Sequence, residues 1–447
     1  MLLAMRRTLY CLLLSILFHF PAGIAQTDQA SSFSKTFSKV DYLEDFNQFV
    51  DTLLGTHPMP YKFTSPADFH ESIAEKKHLI SDKTTLPEFI WHCSEIITKL
   101  GCGHSSLGWF NQENAMLPLA LRFPLEAKLI ENRLYISDPL ANQDKVQAGL
   151  EIFSINGQPI SQITAEAFKH INSQAHITTY KQLLFSGYIT AYIPYVLQFP
   201  TEYEIVVKGQ EKPIQLSPLP SYHPKPRFHR IVSDSECQEE LCLNDYDEET
   251  TILTIRNFAY YGDKFPIYQS FIDSSFKAIH SKGIKNLIID LRFNGGGPSG
   301  AANHLLRYLA HAPYTYFSQN DFGHLTHEQT PHPDAFKGKI YILMDGDGHS
   351  TTGHFMSLVK EFDLATIIGE ELGSNRFCTA NQKRYTMPHT GISYSVARNT
   401  FITTAESTSA DRGILPDHWI TQSIQDHLNN LDTVLEYTLE LIGKEEN

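Results

Sequence analysis

The sequence predicts a layered α/β domain in its C-terminal half, preceded by a helical segment and a small β-rich domain. Three observations carry this. Beyond residue 250, short apolar runs of buried-strand type alternate with helical stretches, the texture of an α/β layer. From about 113 to 218 the pattern is one of short alternating strands. Ahead of that, two apolar stripes recur at helical spacing. With 447 residues the chain is too long for one small core, so two or three domains are expected.

The elements follow in order. Arg6 and Arg7 precede an apolar run over residues 9–20, then Pro21, Ala22, Gly23, Ile24 and Ala25. A positive start, a short apolar stretch and small residues describe a secretory signal peptide over 1–25, cut near Ala25. The run is shorter than the ~20 residues that span a bilayer, and no later segment qualifies as a span. The mature chain is therefore expected to be periplasmic or secreted. Residues 26–112 form the helical region. Its first stripe is Leu43, Phe46, Val50, Leu53 and Leu54, with Asp41 and Glu44 suited to opening a helix. The second stripe is Phe89, Ile90, Cys93, Ile96, Ile97 and Leu100. It opens at a capping box, Thr85 to Glu88, and stops at Gly101.

Within 113–218, residues 133–136 and 151–155 read as strands, the second running into an Asn156-Gly157 turn. The order of residues 146–157 resembles the strand-turn core of a PDZ domain, a module that binds extended peptides at an open sheet edge. Residues 219–250, rich in Pro, Ser and acidic side chains, read as a connecting segment. Over 251–447 the buried strands are 251–255, 286–291, 339–344 and 365–368, with helices at 265–280 and 299–309. Leu431, Val434, Leu435, Leu439 and Ile442 form a closing amphipathic helix.

Composition narrows the function classes. A net charge of -14 with no basic patch argues against a nucleic-acid partner. Cys237 and Cys242 are spaced for a local disulfide in an oxidising compartment. A zinc site is the rival reading, but no His-rich partner flanks the pair. No metal or organic cofactor is called for.

Two stretches carry chemistry. In residues 345–354 a buried strand ends, a glycine-rich turn follows, and Ser350 stands at the start of a helix. That geometry exposes a hydroxyl beside unpaired helix N–H groups, although a structural N-cap serine uses the same pattern. In residues 287–297 a strand runs into Gly295-Gly296-Gly297, where substrate can approach the backbone closely. The Gly-Lys-Ser/Thr ending of a phosphate loop is absent.

The order of these pieces resembles the tail-specific (C-terminal processing) serine protease family. They are Asp290 to Gly297, Ser350, Ile367 to Glu370, and Gly413-Ile414-Leu415-Pro416-Asp417. The resemblance implies a spiral α/β core like that of Clp protease and crotonase, and peptide hydrolysis through an acyl-enzyme on Ser350. Where one branch carries a catalytic Lys, this chain reads Gly373-Ser374-Asn375-Arg376, and Lys383 is a poor substitute. The chain is similar instead to the tricorn and retinoid-binding-protein-like branch, which draws a His from the N-terminal side. Gly101-Cys102-Gly103-His104 matches that step, with Cys102 where an Asp is usual.

His104 is accordingly the expected general base, with His349 and His354 as competitors. The resemblance implies an acid shortly before Gly413: Glu406 is the expected orienting group, Asp411 its alternative. The N–H groups of Gly296 and Thr351 are the expected oxyanion donors. The predicted protein is an exported serine endopeptidase acting on polypeptide. A catalytically degenerate peptide- or lipid-binding protein on the same fold is the alternative, and a hydrolase or isomerase of small acyl compounds a more distant one.

Overall fold

Capping chemistry sets the ends of the N-terminal helices. The computed structural model describes residues 33–108, 117–210, 212–221 and 239–445; the expected signal peptide and Cys237 lie outside them. Helix Lys39–Thr56 opens on a capping box in which Ser38 and Asp41 exchange side-chain and backbone hydrogen bonds. Helix Leu86–Thr98 opens on the expected box between Thr85 and Glu88. Between them lies a helix absent from the apolar pattern, Pro66–Leu79, capped by Ser65. It buries only Phe69 and Ser72, too few positions to register as a stripe.

These helices do not build their core alone. Tyr42, Phe46, Phe49, Phe89 and Ile90 pack with Met387, Ile392, Tyr394 and Val396 from a hairpin far along the chain. The short strand Ser106–Leu107 pairs antiparallel with the hairpin strand Ser393–Val396. Asp45, fully buried, accepts hydrogen bonds from the backbone N–H groups of His389 and Thr390 and from the Thr390 hydroxyl. A buried carboxylate with three donors is tolerated where an unpaired one would not be. The segment 101–105 is thus pinned between the N-terminal helices and a C-terminal hairpin.

The middle of the chain forms an antiparallel sheet. Its strands run in the order Glu126–Ile130, Arg133–Asp138, Glu151–Ile155, Glu204–Val207, Ile214–Gln215. Three helices, Ile160–Phe168, Thr179–Gly187 and Ile189–Val196, close over its apolar face through Ile163, Phe185 and Ile193.

The C-terminal sheet has six strands in the order His418–Trp419, Thr366–Gly369, Lys339–Met344, Asn286–Asp290, Thr250–Ile255, Leu241–Asp245. All neighbours are parallel except the last pair. One face, with Leu287, Ile289 and Ile342, packs on helices Phe265–Lys282, Ser299–Leu309 and Thr351–Glu361. The other face, with Ile288, Tyr341 and Leu343, meets the closing helix Thr433–Glu445. Burial on both sides explains why these strands read as continuous apolar runs. The α/β class with an N-terminal helical segment is as the sequence predicted. Arg292, just past one central strand, is clamped by Asp290 and by Asp432 with paired contacts of 2.6 and 2.8 Å to the latter. Cys242 is disulfide-bonded, whereas Cys93, Cys102 and Cys378 are buried free thiols.

Candidate active site

The site forms at the C-terminal ends of two adjacent parallel strands, the usual place for chemistry in an open α/β sheet. Asp290 and Leu343 are paired across those strands, so the turns that follow leave the sheet side by side. Asn294 locks the first turn. Its amide donates to the Ile255 carbonyl, and its Oδ1 accepts from the Gly296 N–H and the Thr352 hydroxyl. Asp345 ties the second turn to the first by accepting the N–H groups of Phe293 and Asp347. Burial pushes its carboxyl up to about 7 against those stabilising bonds.

Ser350 sits at the sharpest point of the second turn. Its backbone has φ 56° and ψ −124°, a region that a non-glycine residue occupies only under strain of roughly 1–3 kcal/mol. It precedes helix Thr351–Glu361, yet its side chain makes no capping hydrogen bond. The hydroxyl instead lies 3.1 Å from His104 Nε2, joining residues 246 positions apart. Gly296 makes this turn possible. A Cβ there would stand 2.6 Å from the His349 carbonyl oxygen and 2.8 Å from Ser350 Cβ, and its φ is +89°.

His104 is held on both sides. The His349 ring lies 4.9 Å away, centroid to centroid, and itself stacks on Tyr180 of helix Thr179–Gly187 at 5.5 Å. The His349 ring fills the space that a side chain at residue 103 would need, with its Cε1 2.2 Å from an added Cβ. Burial, with His349 and His354 nearby, holds the His104 imidazole well below its ordinary pKa. It is therefore neutral, as a proton acceptor must be. His354 is buried against Phe317 and Phe401, and neither of its ring nitrogens is hydrogen-bonded to the serine hydroxyl. Lys383 lies exposed on the outer hairpin, its Nζ over the Tyr385 ring.

Two expectations need correction. Glu406 does not meet the imidazole. It is exposed, and its backbone N–H donates to the Glu361 carboxylate at 3.0 Å. Asp411 is also exposed, on a turn closed by its own N–H to Ser409. The atom facing His104 Nδ1 is Cys378 Sγ at 3.5 Å. The second correction concerns the oxyanion donors. The Gly296 N–H is taken by Asn294 Oδ1 at 3.0 Å, because the asparagine side chain folds back two residues to close the turn. The Thr351 N–H, at the first position of the helix, is a donor without an intrahelical acceptor. Sequence reasoning gave Cys378 no place in the site, since it lies 274 positions from residue 104 on a strand, Phe377–Ala380, that pairs with Asn399–Thr403.

Residues 250–420 match the model for peptidase family S41. They cover both turns just described and every strand of that sheet except Leu241–Asp245, and the match agrees with the tail-specific peptidase family that the motif order resembles. A solved structure of mature CPAF aligns over 88% of this chain and 94% of that one, with a TM-score of 0.60 at 13% identity. Mature CPAF complexed with lactacystin aligns over 90% and 97%, also at 0.60 and 13%. At such identity the likeness establishes a shared fold over nearly the whole of both chains. Comparison with curated proteins gives no match. A peptidase is the class of protein this family defines. No helix among the described residues is long and apolar enough to cross a membrane.

Proposed function

We propose that the protein is an exported serine endopeptidase in which Ser350 is the nucleophile and His104 the general base. The observation that carries this reading is the 3.1 Å approach of His104 Nε2 to the Ser350 hydroxyl, made across 246 positions of the chain at a strained turn. Ser350 Oγ attacks the peptide carbonyl, His104 takes its proton, and the Thr351 N–H steadies the developing oxyanion. His104 then protonates the leaving amine, and water admitted in its place releases the acyl group by the reverse sequence. Export rests on the N-terminal sequence pattern. In this reading the chain divides into signal peptide 1–25, helical region 26–112, PDZ-like domain 113–218, connecting segment 219–250 and protease core 251–447.

That no carboxylate among the described residues is hydrogen-bonded to His104 Nδ1, together with the engaged Gly296 amide, favours one rival, a binding protein on the same fold without turnover. Hydrolysis of an unfolded protein by the purified mature chain separates the two. Turnover lost in Ser350→Ala, with fluorophosphonate labelling lost in parallel, is the expected outcome. Activity that survives Ser350→Ala would sink the proposal.

A further inference from the structure

A catalytic imidazole needs its proton on the nitrogen that faces away from the serine. In the neutral ring one nitrogen donates and the other accepts, and the partner of the outer nitrogen decides which. Here that partner is a thiol, Cys378 Sγ, at 3.5 Å from Nδ1. Burial, with Cys102 beside it, pushes the Cys378 thiol up, so it keeps its single proton. The carbonyl of Thr379, 3.5 Å from the same sulfur, can only accept a hydrogen bond. With the thiol proton on that carbonyl, the sulfur is left to accept from Nδ1–H.

The surrounding groups run in the same direction. The Met59 N–H donates to His57 Nδ1 at 3.3 Å, so His57 Nε2 is the protonated nitrogen and donates to Thr379 Oγ1 at 3.1 Å. Burial pulls the His57 pKa down to about 4, so this ring carries one proton and no charge. The Thr379 hydroxyl then donates to Cys102 Sγ at 3.0 Å, as does the Ser105 hydroxyl at 3.4 Å. The Cys102 thiol proton is thereby directed to the Thr379 carbonyl, 3.7 Å away. Both thiols of this cluster thus donate to that one carbonyl.

We propose that Cys378 is a positioning residue whose sulfur accepts the His104 Nδ1 proton and thereby fixes the tautomer that presents a bare Nε2 to Ser350. A neutral sulfur thus stands where a carboxylate would orient the base. The inference rests on the serine-peptidase reading for its consequence in catalysis, but the tautomer is measurable without turnover.

The test pairs ring nitrogen NMR with kinetics on the full mature chain labelled with ¹⁵N. Long-range proton–nitrogen correlation, with His104→Gln identifying the signals, is expected to show the Nδ1–H form in the wild type. Cys378→Ser, which keeps an acceptor, preserves that form and holds kcat within about threefold. Cys378→Ala releases it to a mixture and lowers kcat by about tenfold or more with KM unchanged, short of the ~10⁴ of a fully wrong tautomer. An Nε2–H tautomer in the wild type overturns the proposal, as does a tautomer indifferent to Cys378→Ala. Equal losses in Ala and Ser variants, with a raised KM and a lower melting temperature, also overturn it, since they mean packing alone. A Cys378-dependent Nδ1–H form in a chain that hydrolyses no peptide leaves the positioning role standing and fails the peptidase reading instead.

Discussion

Gly103→Ala perturbs the proposed catalytic pair without replacing either member. A Cβ at residue 103 would lie 2.2 Å from His349 Cε1 and 2.6 Å from His349 Nε2, where ordinary contact begins near 3.4 Å. The loop or the ring must therefore yield by about 1.2 Å. His349 has little room, being stacked on Tyr180 on one side and facing His104 on the other. The displacement falls on the adjacent His104, whose Nε2 sits 3.1 Å from the serine hydroxyl. A shift of about 1 Å at reacting atoms costs on the order of 10²-fold in rate, while overpacking costs stability only about 1–3 kcal/mol. The assay is kcat/KM on an unfolded protein substrate beside a urea melt of the same preparation. The double variant Gly103→Ala with His349→Ala removes the obstructing ring and is expected to recover at least a tenth of the His349→Ala rate. Full activity in Gly103→Ala, or a double variant no better than the single one, would refute the steric account.

Other expectations follow from charge and burial. His104 is held below the ordinary imidazole range by burial, His349 and His354, with Ser350 and Cys378 against its nitrogens. A base with a lowered pKa stays neutral into acid, so the acidic limb of kcat/KM should lie well under pH 6.5; a midpoint at or above 6.5 contradicts this. Asp345 has its folded-state pKa raised from 3.8 to about 7, so the folded chain binds this proton more tightly than the unfolded chain. Its contribution is fully present below about pH 4 and is lost as pH rises to 7, by up to about 4 kcal/mol. Asp345→Asn should flatten that slope in urea denaturation across a pH series. Asp432→Ala leaves the Arg292 guanidinium half-paired in a mostly buried setting, and should lower unfolding free energy by about 3–5 kcal/mol in the same assay.

Much of this arrangement was legible in the chain itself. Strands buried on both faces announced the parallel sheet, and strand-turn-serine announced the turn that carries Ser350. His104 was legible through Gly101-Cys102-Gly103-His104, whose glycine is needed because the His349 ring occupies the space beside it. What escaped depended on side-chain direction. Nothing in the sequence reveals that Asn294 folds back to take the Gly296 amide. Glu406 had the right chemistry and order, but its turn is held at the surface by Glu361. Cys378 carries no motif, and 274 positions separate it from the imidazole it meets. The helix Pro66–Leu79 escaped because it offers the core two side chains rather than a stripe.

The shared packing of the first helices with the hairpin near residue 394 has a temporal consequence. During synthesis the loop bearing residue 104 emerges early, but its supports arrive only when Tyr394 and Val396 do, some three hundred residues later. A nascent or truncated chain that stops short of them lacks the scaffold that sets the imidazole against the hydroxyl. The approach of His104 to Ser350 is thus among the last features of the molecule to be completed.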